Sequence, residues 1–317
     1  MKFKMKALFV SAMMCALVAA GCNENEDPIN PNPTAPAAPT NLMANSGNGT
    51  VNLKWTASTS ASTAGFTGYE LTVTPQGGTA MNPITIAANA TSYTVTNLTN
   101  GTTYNFALRA RNNATTSNTS TAATVTWAPA ARWNNVRIYE TASTTNGSGL
   151  NLSTGNVLTV ANGGQWDLGL DTRQVGGVNS YDIGSPSLTS YSIASPRITL
   201  VSSKRYEGVT SLDAVFDTDA LGSTTAGMRP TVPQLINFTT ATQGFVFFAQ
   251  TAEGNLAKIL VKGNNGAVLQ GTAPNRYVEM DISYQTVANV PYAGMRGTGV
   301  TEFKSAINTS AKKIVTE

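Results

Sequence analysis

Ser92-Tyr93-Thr94-Val95-Thr96-Asn97-Leu98-Thr99-Asn100-Gly101-Thr102-Thr103-Tyr104 sets Tyr93 and Val95 two positions apart among hydroxyl residues, passes through an Asn, Thr and Gly cluster, and starts a second run at Tyr104. A period of two places successive side chains on opposite faces of a strand, and Asn and Gly supply the turn. The same rhythm extends outward through Val51 to Trp55, Gly68 to Thr74, Tyr104 to Arg111 and Ala123 to Trp127. Short alternating strands at this spacing predict a β-sandwich of about 90 residues, spanning 39–129.

Beyond Arg132 the runs again read as strands: Val136 to Tyr139, Val157 to Val160, Trp166 to Leu170, Arg197 to Val201, Gly244 to Gln250, Ala257 to Val261 and Arg276 to Gln285. In the last, Val278, Met280 and Ile282 share the parity expected to be buried, while Glu279, Asp281 and Ser283 share the wet one. No long stretch has a helical period, although residues 301–313 could close the chain with a short helix. The fold class is therefore all-β, a sandwich followed by a second β domain over 132–292, with a tail over 293–317.

The 317 residues are 12% charged, contain no His and carry a formal charge of +3. Lys2, Lys4 and Lys6 lie in the leader, which leaves 17 basic and 17 acidic residues from Cys22 onward. A balanced surface gives no electrostatic footprint for nucleic acid. The leader joins a basic segment to an apolar run, Ala7 to Ala20, and to small residues, as a secretory signal over 1–21 does. Its end, Val18-Ala19-Ala20-Gly21-Cys22, resembles the lipobox of bacterial lipoproteins, with Ala19 where Leu is usual. That resemblance implies acylation of Cys22 and a membrane held through lipid. The other cysteine, Cys15, falls in the leader, so no intramolecular disulfide can form in the mature chain. Asn23-Glu24-Asn25-Glu26-Asp27 resembles export signals that send lipoproteins to the outer face of the outer membrane. Residues 22–38, rich in Pro, Asn, Ala and Thr, read as a semi-rigid tether.

Pro39-Thr40-Asn41-Leu42, Leu53-Lys54-Trp55, Gly68-Tyr69-Glu70-Leu71 and the stretch Ser92 to Tyr104 together resemble a fibronectin type III domain. The resemblance implies that Trp55 is buried between the sheets and that Tyr104 forms a tyrosine corner. Residues 39–129 contain no Arg-Gly-Asp tripeptide, and the domain reads first as a stalk or platform.

A second resemblance rests on Gln165-Trp166-Asp167-Leu168-Gly169-Leu170 with Asn179-Ser180, on Phe245-Val246-Phe247-Phe248-Ala249-Gln250 turning through Glu253-Gly254-Asn255 into Leu256-Ala257-Lys258-Ile259, and on Tyr277 to Tyr284. These blocks, within Trp133 to Val290, are similar to the HmuY-like haem-binding lipoproteins. The resemblance implies capture of haem at the cell surface, with a haem-carrying host protein and an outer-membrane receptor as partners. It places the axial ligands between Asp171 and Gly244, and without His or a free Cys only Met and Tyr remain as donors. The one methionine there is Met228, and Arg229 would pair with a haem propionate. The second ligand stays open among Tyr181, Tyr191 and Tyr206, while Met280 and Met295 lie outside the segment. Met228 could equally be a thioether packed on the core. Trp166 and Asp167 read as structural, and Phe247 and Phe248 as core.

Enzymatic readings lack parts. Without His or free Cys, the triads and zinc sites built on them are excluded. Glu207 with Asp213, or Asp217 with Asp219, offers the carboxylate pair of a glycosidase, and Asp213, Asp217 and Asp219 could approach calcium, but no EF-hand spacing is present. Solvated loop carboxylates explain them equally well. The chain is expected to be a non-enzymatic surface lipoprotein that captures haem or, alternatively, an adhesion or glycan- or protein-binding lipoprotein without haem.

Overall fold

The computed structural model describes residues 35–112, 119–215, 229–288, 290 and 300–302. Cys22, Met228, Asp217, Asp219 and Met295 lie outside them. Seven strands build the first half: β1 Thr40–Gly47, β2 Thr50–Thr56, β3 Phe66–Pro75, β4 Ile84–Ile86, β5 Ser92–Val95, β6 Tyr104–Asn112 and β7 Ala123–Trp127. They form two antiparallel sheets, ordered β1-β2-β5 and β4-β3-β6-β7. The inward parity of each strand supplies the core, with Leu53, Trp55, Tyr69, Leu71, Phe106 and Leu108 buried. Trp55 meets Tyr69 edge-on at 5.5 Å between centroids, an arrangement that suits the aromatic quadrupole. The Tyr104 hydroxyl accepts the Thr99 N–H at 3.0 Å and closes the corner expected from the sequence.

The second half contains β8 Ala131–Tyr139, β9 Gly149–Leu150, β10 Val157–Leu158, β11 Leu168–Val175, β12 Val178–Gly184, β13 Leu200–Val201, β14 Lys204–Glu207, β15 Val232–Pro233, β16 Leu235–Asn237, β17 Phe245–Gln250, β18 Leu256–Val261, β19 Tyr277–Tyr284 and β20 Val300–Glu302. A five-stranded sheet, β10-β9-β11-β12-β16, faces an eight-stranded one ordered β15-β13-β17-β18-β19-β8, in which β14 pairs with both β17 and β20. Leu168, Leu170 and Ile183 from the first meet Phe247, Ile259, Met280 and Ile282 from the second in a common core. β17 is buried on both faces. Phe247 points into this core, while Phe248 joins Tyr206, Val246, Leu260 and Leu212 in a cluster beneath the outer face. The helical segments among the described residues are short 3-10 turns, such as Val160–Gln165 and Leu212–Ala214, and none is long and apolar enough to cross a membrane.

Several local expectations change. The strand expected over Val157 to Val160 ends at Leu158, and the one expected over Arg197 to Val201 starts at Leu200. Trp166 ends the 3-10 turn Val160–Gln165, and the strand begins at Leu168 and runs on to Val175. Ser283, expected on a wet face, is fully buried, because the turn Leu212–Ala214 and β1 cover that end of the sheet. The chain is extended at Val300–Glu302, pairing with Lys204, Arg205 and Tyr206, where the tail helix was expected to start. The rest of that expected helix lies outside the described residues.

Candidate functional site

The tyrosines considered for iron are committed elsewhere. Tyr181 is buried in the core and its hydroxyl accepts from the Arg276 guanidinium. Tyr191 packs edge-on against Trp166 at 5.1 Å and donates to the Leu170 carbonyl at 2.9 Å. Burial also raises its pKa, which disfavours the phenolate an iron ligand would need. Tyr206 and Met280 are fully buried. Arg229 is exposed, and Met228, its neighbour in the expected site, lies outside the described residues. The described donors therefore do not fit haem, since none of these tyrosines offers an open coordinating oxygen.

Two of the carboxylates considered, Glu207 and Asp213, are paired with arginines. Glu207 receives Arg205 Nε at 2.6 Å and Asp213 receives Arg132 Nη2 at 2.7 Å. Among the described residues no three of His, Cys, Asp and Glu cluster as a metal site would require.

Trp166 and Asp167 prove structural. The Trp166 ring lies against Gly149, where a Cβ would stand 1.9 Å from it, so only glycine fits. Asp167 is 1% exposed; its Oδ2 accepts the Leu152 N–H at 2.7 Å and its Oδ1 accepts Arg197 Nη1 at 2.8 Å. Burial nevertheless raises the Asp167 pKa, with Arg197 and the Leu152 N–H opposing the shift. Glu253, on the β17–β18 turn, receives the same Arg197 Nη1 at 3.1 Å. One arginine thus ties the start of the five-stranded sheet to a turn of the other.

The sequence reading missed Lys258. It stands in the apolar run Leu256-Ala257-Lys258-Ile259-Leu260-Val261, and only 3% of it is exposed. Its Nζ donates to Asn45 Oδ1 at 2.6 Å, Leu212 O at 3.1 Å and Val215 O at 3.2 Å. An ammonium has three donors, and these three acceptors compensate its burial. Burial still holds its pKa well below the usual lysine value; Arg132 pushes the same way and Asp213 opposes. A lysine inside a strand with apolar neighbours on both parities was the available signal, since such a cation needs partners. Its partners lie on β1 and in and just after the turn Leu212–Ala214.

Arg132 completes this junction, donating to the Ser46 carbonyl and to Asp213 Oδ1. Asn45 Nδ2 donates to the same Asp213 oxygen at 3.0 Å. Gln285 Nε2 reaches the Ala128 carbonyl at 3.2 Å. Gly101, at φ +81, also abuts Val287, where a Cβ would lie 2.6 Å from Cγ2. The sandwich is therefore bound to the second half by directional contacts.

Beside the junction, an open cleft of about 500 Å³ is lined by Asn52, Leu53, Lys54, Ser92, Tyr93, Thr94 and Asp213. Asn52 and Lys54 on β2, with Ser92 and Thr94 on β5, share the outward parity of the three-stranded sheet. Thr94 Oγ1 donates to Asn52 Oδ1 at 2.7 Å, which leaves the amide Nδ2 as a donor. Asn45 and Arg132 both use Asp213 Oδ1, which leaves Oδ2 as an acceptor.

The fibronectin type III family model matches residues 37–126. Similar solved structures include the FN5 domain of Drosophila Lar, with 19% identity, 31% of this chain and 100% of that one covered, and a TM-score of 0.23. A two-domain fibronectin type III segment of chicken tenascin shares 16% identity over 71% of this chain and 99% of that one, with a TM-score of 0.26. Titin kinase with its flanking domains shares 12% identity over 80% of this chain and 38% of that one, with a TM-score of 0.24. No curated protein matches. The family match, the three- and four-stranded sheets and the Tyr104 corner agree that the chain carries a fibronectin type III domain over 37–126.

Proposed function

We propose that the protein is a non-enzymatic lipoprotein, anchored through Cys22 and displayed on the outer membrane, whose two β regions act together as a binding head for a ligand other than haem. The observation that carries this reading is the junction: Lys258, Arg132 and Gln285 reach across to Asn45, Ser46 and Ala128. A fibronectin type III domain held in this way is part of the head as well as its support. The basic leader, the small residues before Cys22 and the acidic segment after it support the anchor and the export. The commitments of Tyr181, Tyr191, Tyr206 and Met280 argue against haem.

Two measurements test it. Labelling cells with a palmitate analogue should mark the wild-type chain and leave Cys22→Ser unmarked, and protease added to intact cells should remove the labelled protein. Haemin titrated into the purified full-length chain should give no saturable shift of its visible spectrum. A saturable low-spin spectrum that disappears in Met228→Ala would restore the haem reading.

A further inference from the structure

We infer that Lys258 and Asn45 are the reactants of an intramolecular cross-link, an amide bond between Lys258 Nζ and Asn45 Cγ formed with release of ammonia, which fastens the sandwich to the second half covalently. The two residues come from β18 and β1, 213 positions apart in sequence, and both are buried, Asn45 at 1% and Lys258 at 3% exposure. Lys258 Nζ stands 2.6 Å from Asn45 Oδ1. For a hydrogen bond along a carbonyl lone pair and a C=O of about 1.2 Å, that puts Nζ about 3.4 Å from Cγ, within the roughly 3–3.5 Å at which reacting atoms are poised for attack. A turn about the Asn45 Cβ–Cγ bond, whose torsion is broad, brings the face of the carboxamide to the amine.

The surroundings supply what each step requires. The nucleophile is an uncharged amine, and burial holds the Lys258 pKa well below the usual lysine value, with Arg132 pushing the same way and Asp213 opposing. As the Nζ–Cγ bond forms, the carbonyl electron pair moves onto Oδ1. The guanidinium of Arg132 lies one hydrogen bond away through Asp213, and its Nε is buried without an acceptor among the described residues, so a positive charge stands near the developing oxyanion. Asp213 Oδ1 already accepts the Asn45 Nδ2–H at 3.0 Å. In the tetrahedral adduct Nζ and Nδ2 are bonded to the same carbon, so this one oxygen takes a proton from Nζ and returns it to Nδ2, which leaves as ammonia when the Cγ–Nδ2 bond breaks. Nothing is oxidised or reduced, and no co-reactant is consumed. Asp213 needs no free oxygen for this role, and Arg132, donating to the same Oδ1, fixes its direction.

A second pair supplies the contrast. Lys262 Nζ also lies 2.6 Å from an asparagine oxygen, Asn135 Oδ1, but at the exposed surface, where Asp281 at 2.8 Å and Glu279 at 3.4 Å engage it. Distance alone therefore does not single out Lys258. Its enclosure with the carboxamide, and the carboxylate on the leaving nitrogen, do. The hydrogen-bonded pair is the state before closure, and the ammonium of Lys258 with the pH dependence it confers belongs to that state. After closure the halves stay joined even where the chain between residues 45 and 258 is cut.

The test is the mass of the purified full-length chain, intact and after tryptic digestion, once it has been kept folded at mildly alkaline pH. The expected result is a chain lighter by one ammonia, uncut by trypsin after Lys258, with one branched peptide joining Asn45 to Lys258. Asn45→Ala and Lys258→Arg should keep their full mass. Both alter a buried residue, so Asp213→Ala, which changes a side chain 57% exposed and retains both reactants, is the decisive variant. At an unchanged circular dichroism spectrum its linked fraction should grow at least about tenfold more slowly. Wild type still at full mass after the incubation overturns the inference, and so does a branched peptide joining Lys262 to Asn135 in place of this one. Loss of ammonia that persists in Lys258→Arg marks a succinimide at an Asn-Gly step such as Asn48-Gly49 and overturns it likewise. Linkage at an unchanged rate in Asp213→Ala overturns the assignment of the proton transfer.

Discussion

The two halves of the molecule bury different chemistry. Among the described residues, the buried polar ones of the sandwich are uncharged, namely Asn45, Ser46, Ser58 and Ser120, whereas Glu140, Asp167, Asp171, Asp182, Arg205 and Lys258 are all buried in the second half. Apolar burial is non-directional and needs only the right parity. A buried charge needs a particular partner with particular geometry. Asp167 depends on Leu152 and Arg197, Asp171 on Arg173 and Ser190, and Glu140 on Arg276, which comes from the other end of the domain. The first half is thus specified by a pattern, and the second by a pattern together with individual buried pairings.

The sharpest way to break this contrast is to remove one such charge. Asp167→Ala leaves the buried Leu152 N–H without its acceptor and Arg197 with Glu253 alone, and leaving a buried polar group unsatisfied costs up to about 3 kcal/mol. Denaturant titration should show a loss of this size. Asp167→Asn should lose less, because the amide oxygen can still accept one of the two bonds. A loss below about 1 kcal/mol for Asp167→Ala, the range of exposed pairs, would mean that apolar packing specifies this half as well.

Lys258 gives the next effect, because it is the charge through which one half holds the other. Lys258→Met fills similar volume but leaves Asn45 Oδ1 and the carbonyls of Leu212 and Val215 without their donor, for a loss of about 1–3 kcal/mol at neutral pH. The pH dependence has a definite sign. The folded pKa lies below the unfolded value of 10.5, so between the two the unfolded chain binds more protons and wild-type stability rises with pH. The contribution is complete above 10.5 and is lost as pH falls through the folded value. The stability gap between wild type and Lys258→Met, followed by thermal unfolding from neutral pH to 10.5, should therefore widen. A gap that narrows would show that the junction stabilises the ammonium by more than burial costs.

The same contrast explains what the sequence could reveal. Alternation in Val51 to Trp55, Tyr104 to Arg111 and Ala123 to Trp127 located β2, β6 and β7, and the long apolar strands β17, β18 and β19 were equally plain. β1 was harder, because Leu42 and Ala44 are its only buried apolar residues, and its other inward contacts are the polar ones of the junction. β9 and β15 have two residues each, too few to carry a period. Asn52, Lys54 and Tyr93 sat on strands already recognised, but nothing local could show that Asp213 closes a cleft over them. Two of the tyrosines considered for haem show a related limit. Residue type nominated Tyr181 and Tyr191, while their availability was decided by Arg276 and Leu170, which the sequence does not bring near.

The smallest effect sharpens the comparison from the sandwich side. Tyr104→Phe keeps the ring in the core and removes only the acceptor for the Thr99 N–H, a bond at 3.0 Å in a partly exposed turn. Water can replace that acceptor, so the loss should be about 0.5–1.5 kcal/mol. What makes the variant informative is where the loss is felt. The turn it anchors includes Gly101, which packs against Val287, beside the bond from Gln285 to Ala128. If the junction joins the halves into one cooperative unit, Tyr104→Phe should shift a single unfolding transition seen alike by circular dichroism and by tryptophan fluorescence, since Trp55 and Trp127 report on the sandwich and Trp133 and Trp166 on the second half. If only the sandwich signal moves, the halves unfold separately and Lys258 aligns them without coupling their stabilities.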